Sequence, residues 1–265
     1  MKPNTLKKAL FALLIPSLPL GLQAGETSVP PLTNTPPPAA AEKEWWWSST
    51  SYAWLTDISG DLAIRDYKVP FDIGMDDVLE DLDFSYMSYS EIGYKKWSLG
   101  LDVMYAKLSD DQTFAVGPLS GEAGFELVQA LVTTRLQYTA VDTGTVKLDV
   151  FTGFRWNYYD VDLTVDTGRR DLRRSANEDW FDFIVGARAV VQMGDRGFFQ
   201  SMGDIGGFGA ESDLTWQASA GVGYHFTPHI AGLLGYRAVG VDYDKGGFLM
   251  DTVSHGPVVG LNFSF

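Results

Sequence analysis

The last eight residues, Val258-Val259-Gly260-Leu261-Asn262-Phe263-Ser264-Phe265, alternate in character along the chain and finish on an aromatic residue. In an extended strand Leu261, Phe263 and Phe265 share one face, and Gly, Asn and Ser occupy the other. Chain termini usually fray into water, so a soluble protein rarely ends in this way. The pattern predicts a final strand that closes a sheet and presents its apolar face to lipid.

This terminus resembles the C-terminal signature of bacterial outer-membrane β-barrels. The resemblance implies that the barrel-assembly machinery recognises the last strand, with Phe265 as the assembly signal. The implied compartment is the bacterial outer membrane, where the expected partners are membrane lipid and lipopolysaccharide.

The first residues of the chain have the features of an export signal. Lys2, Lys7 and Lys8 precede an apolar segment, residues 9–20, which prolines interrupt, and a small-residue cleavage site follows at Ala24. Such a segment is too short to cross a bilayer as a helix, and its layout is that of a secretory signal. Residues 1–24 are therefore predicted to be a signal peptide.

Residues 25–44 are rich in proline and are predicted to form an extended periplasmic linker. A solvated spacer is the simpler interpretation, and a contact with peptidoglycan or a periplasmic protein is the alternative. Trp45, Trp46 and Trp47 follow, where an interfacial aromatic belt would begin. The barrel domain is therefore predicted over residues 45–265.

Composition favours a small barrel over other classes. Aromatic residues make up 14% of the chain and glycine 28 of its 265 residues, as aromatic girdles and a crowded interior require. The net charge of −14 becomes −17 once the signal peptide, which has three lysines and no acid, is removed. So acidic a chain is not expected to bind nucleic acid. The chain has no cysteine, and no cofactor is predicted.

Two-residue alternation recurs along the chain and predicts ten strands, with eight or twelve as alternatives. Tight turns alternate with mostly longer connections, which is the layout of an all-β, antiparallel, up-and-down transmembrane barrel with periplasmic turns and outer loops. The predicted strands are 49–64, 84–95, 97–108, 125–140, 145–162, 180–193, 197–205, 213–226, 229–243 and 251–265. The predicted outer loops are 65–83, 109–124, 163–179, 206–212 and 244–250.

The face of each strand that is rich in glycine and polar residues is assigned to the lumen. It collects Asp57, Glu91, Asp102, Arg135, Arg155, Asn157, Arg188, Asp204, Gln217, His225 and Arg237. Buried charges must be paired, so the four arginines and four carboxylates of this set are predicted to form an ion-pair network. The first interpretation is a plug that holds the barrel in shape. A narrow polar pore or a ligand pocket is the alternative.

The three histidines of the chain are its candidate catalytic residues, because some outer-membrane barrels are proteases or lipid-modifying enzymes. His225 and His229 flank a predicted periplasmic turn. His255 follows Ser254, but strand parity from the terminus places it on the lipid face unless a bulge changes the register. The chain is therefore predicted not to be an enzyme, and no catalytic residue is assigned.

Two segments of the predicted outer loops have features of their own. Residues 74–83 have apolar side chains at helical spacing and predict one short helix in the first outer loop. Their carboxylates suggest a divalent-cation site as the alternative, but they lack the spacing of a calcium loop. A second loop carries a basic cluster that could pair with lipopolysaccharide phosphates. The alternative is a solvated loop in which these arginines pair with Asp166 and Asp171. The cluster is Arg169, Arg170, Arg173 and Arg174.

The C-terminal third contains Gly203-Asp204-Ile205-Gly206-Gly207-Phe208-Gly209, Ser212-Asp213-Leu214-Thr215-Trp216, Gly235-Tyr236-Arg237, Val241-Asp242-Tyr243 and His255-Gly256-Pro257. Together these sequence motifs resemble those of a group of small bacterial outer-membrane barrels that are loosely called OmpA-like or porin-like. The predicted function is a structural or surface-interaction role with a largely plugged polar lumen. A narrow channel for small solutes and a lipid-modifying or proteolytic enzyme are the alternatives.

Overall fold

The computed structural model describes residues 45–64, 67–116, 119–166 and 171–265. The predicted signal peptide (1–24) and linker (25–44) lie outside these residues. In the described part of the chain, the single helix has seven residues, and no helix there is long and apolar enough to cross a membrane.

The chain forms a closed antiparallel barrel of ten strands, and the predicted fold class is confirmed. Each strand pairs with the next along the chain from β4 to β12, while β1 pairs with both β4 and β12 and so closes the sheet. The elements are β1 (Trp45–Trp54), β2 (Asp57–Ile64), β3 (Tyr67–Ile73), α1 (Met75–Asp81), β4 (Leu82–Tyr94), β5 (Trp97–Val116), β6 (Leu119–Asp142), β7 (Val146–Asp166), β8 (Asp171–Met193), β9 (Gly197–Gly206), β10 (Leu214–Thr227), β11 (Ile230–Lys245) and β12 (Phe248–Ser264).

The first and last strands pair at Phe265, the terminal residue of the pattern that predicted the fold. The amide of Trp47 donates to the carbonyl of Phe265 at 3.0 Å, and the amide of Phe265 donates to the carbonyl of Trp47 at 2.9 Å. The two aromatic rings stack 5.7 Å apart. Toward its N-terminal end, β12 pairs with β2 instead of β1. β1 and β2 therefore act as one barrel strand that is interrupted between Trp54 and Asp57.

Three of the predicted outer loops are wrong, because the strands continue through them. In 244–250 only Gly246 and Gly247 lie between β11 and β12. β5 runs to Val116 and β6 starts at Leu119, where residues 109–124 were predicted as a loop. β7 and β8 likewise extend through residues 163–179 except at 167–170, which lie outside the described residues. The segments in β5 to β8 are polar, and polar residues without alternation are typical of a loop. Strands that extend beyond the lipid can carry polar side chains on their outer face, as the ion pair of Lys107 with Glu126 shows.

An apolar belt surrounds the barrel. Leu99, Phe181 and Leu234 are at least 60% exposed, which is expected of side chains that face acyl chains rather than water. Aromatic pairs mark its edge near the short turns, where Trp97 packs against Tyr138 with ring centroids 4.9 Å apart. Similar aromatic pairs lie toward the longer connections. They are Phe84 with Tyr105 and Trp156 with Phe181.

The helix predicted in the first outer connection is present as α1. The connection is more ordered than a loop, because β3 pairs with β2 before the helix begins. Val78 is buried against the barrel interior, and the amide of Met75 donates to the Asp57 carboxylate at 2.6 Å. The helix therefore seals one side of the barrel mouth.

Candidate functional site in the barrel lumen

A layer of buried ion pairs crosses the lumen at the level of the apolar belt. Its first unit is Arg188, which binds two carboxylates at once. Its two terminal nitrogens donate to Glu91 at 2.7 and 3.1 Å. The same guanidinium reaches Asp149 at 2.8 and 3.1 Å. Planar guanidinium groups suit this two-sided arrangement, which fixes β8 against β4 and β7.

The second unit joins Arg155 to Asp204 at 2.7 Å. The side chains are 1% and 0% exposed, so this pair is the most deeply buried of the layer. Other donors of Arg155 are used by Thr215 at 3.0 Å and Gln217 at 3.2 Å. Because the guanidinium is surrounded by acceptors, the cost of removing the charge from water is offset by bonds on several sides.

The third unit is Asp102 with two arginines. Its carboxylate accepts from Arg237 at 3.2 Å, from Arg135 at 3.5 Å and from the Tyr52 hydroxyl at 2.7 Å. Arg237 also stacks over the Trp54 ring, 4.9 Å from its centroid. Two cations share one carboxylate here, so this unit carries an excess positive charge.

The structure brings together seven of the eight residues predicted to form the network, and Asp57 is the exception. Its carboxylate accepts the amide of Met75 near the barrel mouth. The assignment of Asp57 is corrected because the parity of the first strand is the reverse of the predicted one. Even-numbered residues of β1 and β2 face inward, which places Tyr52 and Trp54 in the lumen.

Sequence reasoning missed two members of the layer. Asp149 has the same parity as Arg155 in β7, so strand alternation could have placed it in the lumen. Tyr52 gave no such signal, because an aromatic side chain in a membrane strand is more often expected on the lipid face.

Between the ion-pair layer and the longer connections, the lumen is packed with apolar side chains. This apolar core includes a stack in which the Trp180 ring lies 3.9 Å from Tyr243 and 5.6 Å from Tyr159. The expectation of a polar interior therefore holds for one half of the lumen and is wrong for the other. The core consists of Trp54, Ile58, Leu62, Ile64, Val78, Met104, Leu108, Leu127, Leu131, Tyr159, Val161, Trp180, Val239, Val241, Tyr243, Phe248 and Met250.

One further carboxylate, that of Asp182, links this core to the connection between β9 and β10. It is 1% exposed and accepts four hydrogen bonds from neutral donors. The donors are the Ser212 amide at 3.0 Å, the Ser212 hydroxyl at 2.7 Å, Asn157 at 2.9 Å and the Trp180 indole at 3.0 Å. The connection is thereby tied to the barrel interior rather than left free above it.

The histidines do not assemble with nucleophiles in the described part of the chain. His255 lies on the outer face, where its Nδ1 is 2.8 Å from the Tyr236 hydroxyl, while Ser254 is buried on the inner face. His225 packs against Phe198 and His229 stacks on Phe265, both near the short turns.

Two of the four arginines predicted to contact lipopolysaccharide are described. Arg173 and Arg174 lie on β8 and are exposed, and Arg173 pairs with Asp162 at 3.1 Å. Arg169 and Arg170 lie outside the described residues. Arg173 and Arg174 thus project from the part of β8 that extends beyond the apolar belt.

No family model and no curated protein sequence matches this chain. Solved structures of similar fold include the outer membrane protease OmpT from Escherichia coli, at 12% identity and a TM-score of 0.48, with 86% of this chain and 99% of OmpT covered. OprG from Pseudomonas aeruginosa has 12% identity and a TM-score of 0.36, with 84% and 96% covered. Neisserial surface protein A has 13% identity and a TM-score of 0.30, with 84% and 98% covered.

The closed barrel and its apolar belt define the class: the protein is an integral β-barrel of the bacterial outer membrane. The prediction that the chain is not an enzyme is corrected, because an outer membrane protease is among the barrels that it resembles. At 12% identity the likeness concerns the fold, and it transfers no catalytic residue to this chain.

Proposed function

We propose that this protein is a closed outer-membrane barrel that serves a structural and surface-interaction role. The observation that supports the proposal is the filling of the lumen at two successive levels, first by the ion-pair layer and then by the apolar core. Small barrels leave little space between the side chains of opposite walls. A lumen filled in this way holds the wall rigid while the strands above the membrane meet the exterior.

The channel alternative requires a continuous water path, which the apolar core opposes. We expect purified protein in planar bilayers to give no reproducible single-channel openings, since ions would have to cross the dry layer around Trp180 and Tyr243. A general diffusion porin reconstituted in the same membranes is the positive control. Steady openings whose conductance rises with salt concentration would contradict the closed barrel.

The surface role is supported by the strands that extend past the apolar belt. β8 carries Arg173 and Arg174 there, and the Arg173 side chain is 71% exposed. Lipopolysaccharide phosphates concentrate at this height, and guanidinium groups bind phosphate with two parallel hydrogen bonds. We therefore propose lipopolysaccharide as the partner of this surface.

Replacing Arg169, Arg170, Arg173 and Arg174 together by Gln is expected to weaken lipopolysaccharide association while the barrel still folds. Each exposed contact is modest and screened by salt within about 8–10 Å at physiological ionic strength. Binding is measured by co-sedimentation with lipopolysaccharide vesicles at low and high salt. Lys245→Gln removes a cation from another connection and is the control. Unchanged binding of the quadruple variant, indifferent to salt, would exclude the cluster as the contact.

We also propose that the chain belongs to the small OmpA-like or porin-like group suggested by its C-terminal motifs. The edge position of Phe265 supports its proposed recognition by the assembly machinery, because the residue lies at the seam between the first and last strands. Phe265 is 53% exposed, as a recognised residue must be.

A further inference from the structure

β8 has an open edge beyond the end of β9. It runs from Asp171 to Met193, but β9 ends at Gly206, opposite Ile184. In the part of the chain that the structure describes, no strand pairs with residues 171–183 on the side that faces away from β7. The backbone groups on that side of β8 therefore belong to an exposed sheet edge, which is a template for pairing with another strand.

The hydrogen bonds of this edge show which residues present their backbone groups to it. The carbonyl of Phe183 accepts the amide of Gly207 at 3.2 Å, on the β9 side of the strand. Backbone groups point to the two sides of a strand in alternation, so the odd-numbered residues of 173–181 face the open edge too. The carbonyl of Arg173 accordingly accepts the Arg174 guanidinium, at 3.1 Å, instead of a strand. These odd-numbered residues are all exposed.

The edge lacks the usual features that prevent pairing. Natural edge strands are commonly blunted by proline, lysine or a bulge. β3, which pairs with β2 alone among the described strands, contains both Lys68 and Pro70. Residues 171–183 contain neither residue type, and β8 pairs with β7 without a shift in register. The β8 edge is therefore open in its chemistry as well as in its position.

The charges of this edge are complementary to those of a second, antiparallel copy. With Ala176 opposite Ala176 of the second copy, Arg173 lies opposite Asp179. In the same register Arg174 lies opposite Glu178. Each pair occurs twice because the arrangement is two-fold, and opposite charges directly across two strands stabilise a sheet. This register also places odd-numbered residues opposite odd-numbered residues, as backbone hydrogen bonding at this edge requires.

We propose that β8 is a self-association surface, on which residues 173–179 of two copies pair edge to edge as antiparallel strands. The two-fold axis of such a pair is perpendicular to the sheet, so it reverses the barrel axis of the second copy. Two barrels of one membrane share the same orientation, and the partner is therefore a second copy in a facing outer membrane. This inference rests on the surface-interaction role proposed above and names a partner for it.

The test mixes two differently tagged forms of the purified barrel in detergent that contains no lipopolysaccharide. The two wild-type forms are expected to copurify, increasingly so as the protein concentration rises. Ser175→Pro removes a backbone donor of the open edge and keeps every charge, so copurification should be lost. Ser175→Ala keeps the donor and is the matched control. Heat-modifiable gel mobility establishes that both variants are folded.

Two outcomes of this test would overturn the proposal. They are a folded Ser175→Pro variant that still copurifies, and wild-type forms that do not copurify at any concentration. Neither outcome would bear on lipopolysaccharide binding by the basic cluster, which is measured by co-sedimentation in a separate assay.

Charge reversal tests the register of the pair. Arg173→Asp with Arg174→Glu makes an acidic edge, and Glu178→Arg with Asp179→Arg makes a basic one. Neither variant should associate with itself, because like charges would face one another, but a mixture of the two should associate. Adding Ser175→Pro to both variants should abolish association of the mixture, which separates strand pairing from simple attraction between opposite charges. Self-association of both reversed variants at the wild-type level would contradict the register.

The arrangement between facing membranes is tested with vesicles free of lipopolysaccharide that contain the barrel in both orientations. Wild-type vesicles are expected to aggregate, as measured by light scattering, and vesicles with the Ser175→Pro variant should remain dispersed. Dispersed wild-type vesicles would overturn the assignment of the partner to a facing membrane.

Discussion

Replacing Arg188 by Met is expected to lower the free energy of unfolding by about 3–5 kcal/mol, the range found when one member of a buried ion pair is removed. Arg188 joins Glu91 and Asp149, whose side chains are 3% and 2% exposed. Without the guanidinium, two carboxylates of like charge would remain in a site that water barely reaches. Denaturant unfolding of the refolded barrel in lipid vesicles, followed by tryptophan fluorescence, measures the loss.

The matched control is Arg173→Met, which removes the same charge from the exterior. The Arg173 side chain is 71% exposed and its partner Asp162 is 30% exposed, so solvent takes over when the pair is broken. Adding Glu91→Gln to the Arg188→Met variant should recover part of the stability, because it removes one of the two stranded charges. Equal stability of the two single variants would mean that the lumen is wet and its charges are solvated.

Strand alternation and the terminal aromatic pattern predicted a closed barrel of ten strands, with eight or twelve as alternatives, and the reason is physical. A bilayer leaves each backbone group to be satisfied by another strand, so a spanning sheet must close and each strand must present one face to lipid. The alternating apolar pattern that ends at Phe265 follows from this constraint. The pairing of Phe265 with Trp47 closes the sheet as that pattern predicted.

The loop-end half of the molecule was predicted less well, because the membrane no longer dictates its pattern there. Outer faces become polar, so the outer ends of β5 to β8 look like loops in the sequence. Inner faces become apolar, so parity alone cannot say which face is inside. The error at Asp57 arose in this way: Trp54 and Ile58 are buried in the lumen, although their character is that of lipid-facing residues.

Parity also identifies which charges share the lumen without identifying their partners. Arg155 lies in β7 and its partner Asp204 in β9, two strands away. Such pairings depend on the tilt and stagger of the strands around the closed barrel, which are properties of the whole sheet.

Truncating Trp180 to Ala is expected to destabilise the barrel by about 3–5 kcal/mol, because a large ring would be lost from a closely packed region. Trp180 is 3% exposed and stacks on Tyr159 and Tyr243. Its indole also donates to Asp182 at 3.0 Å and to Ser212 at 2.7 Å. The same denaturant titration in lipid vesicles measures the change.

Two comparisons separate the packing contribution from the polar one. Trp180→Phe keeps a ring in the stack but removes the indole donor. Its free energy of unfolding should therefore lie between that of the wild type and that of Trp180→Ala. Trp156→Ala removes a tryptophan of the outer face, where lipid can fill the vacated space, and should cost clearly less. If Trp180→Ala and Trp156→Ala were equally stable, the apolar core would not support the barrel. A larger loss at Trp180 would show that this barrel is held from within, at a height where its sequence resembles a soluble core.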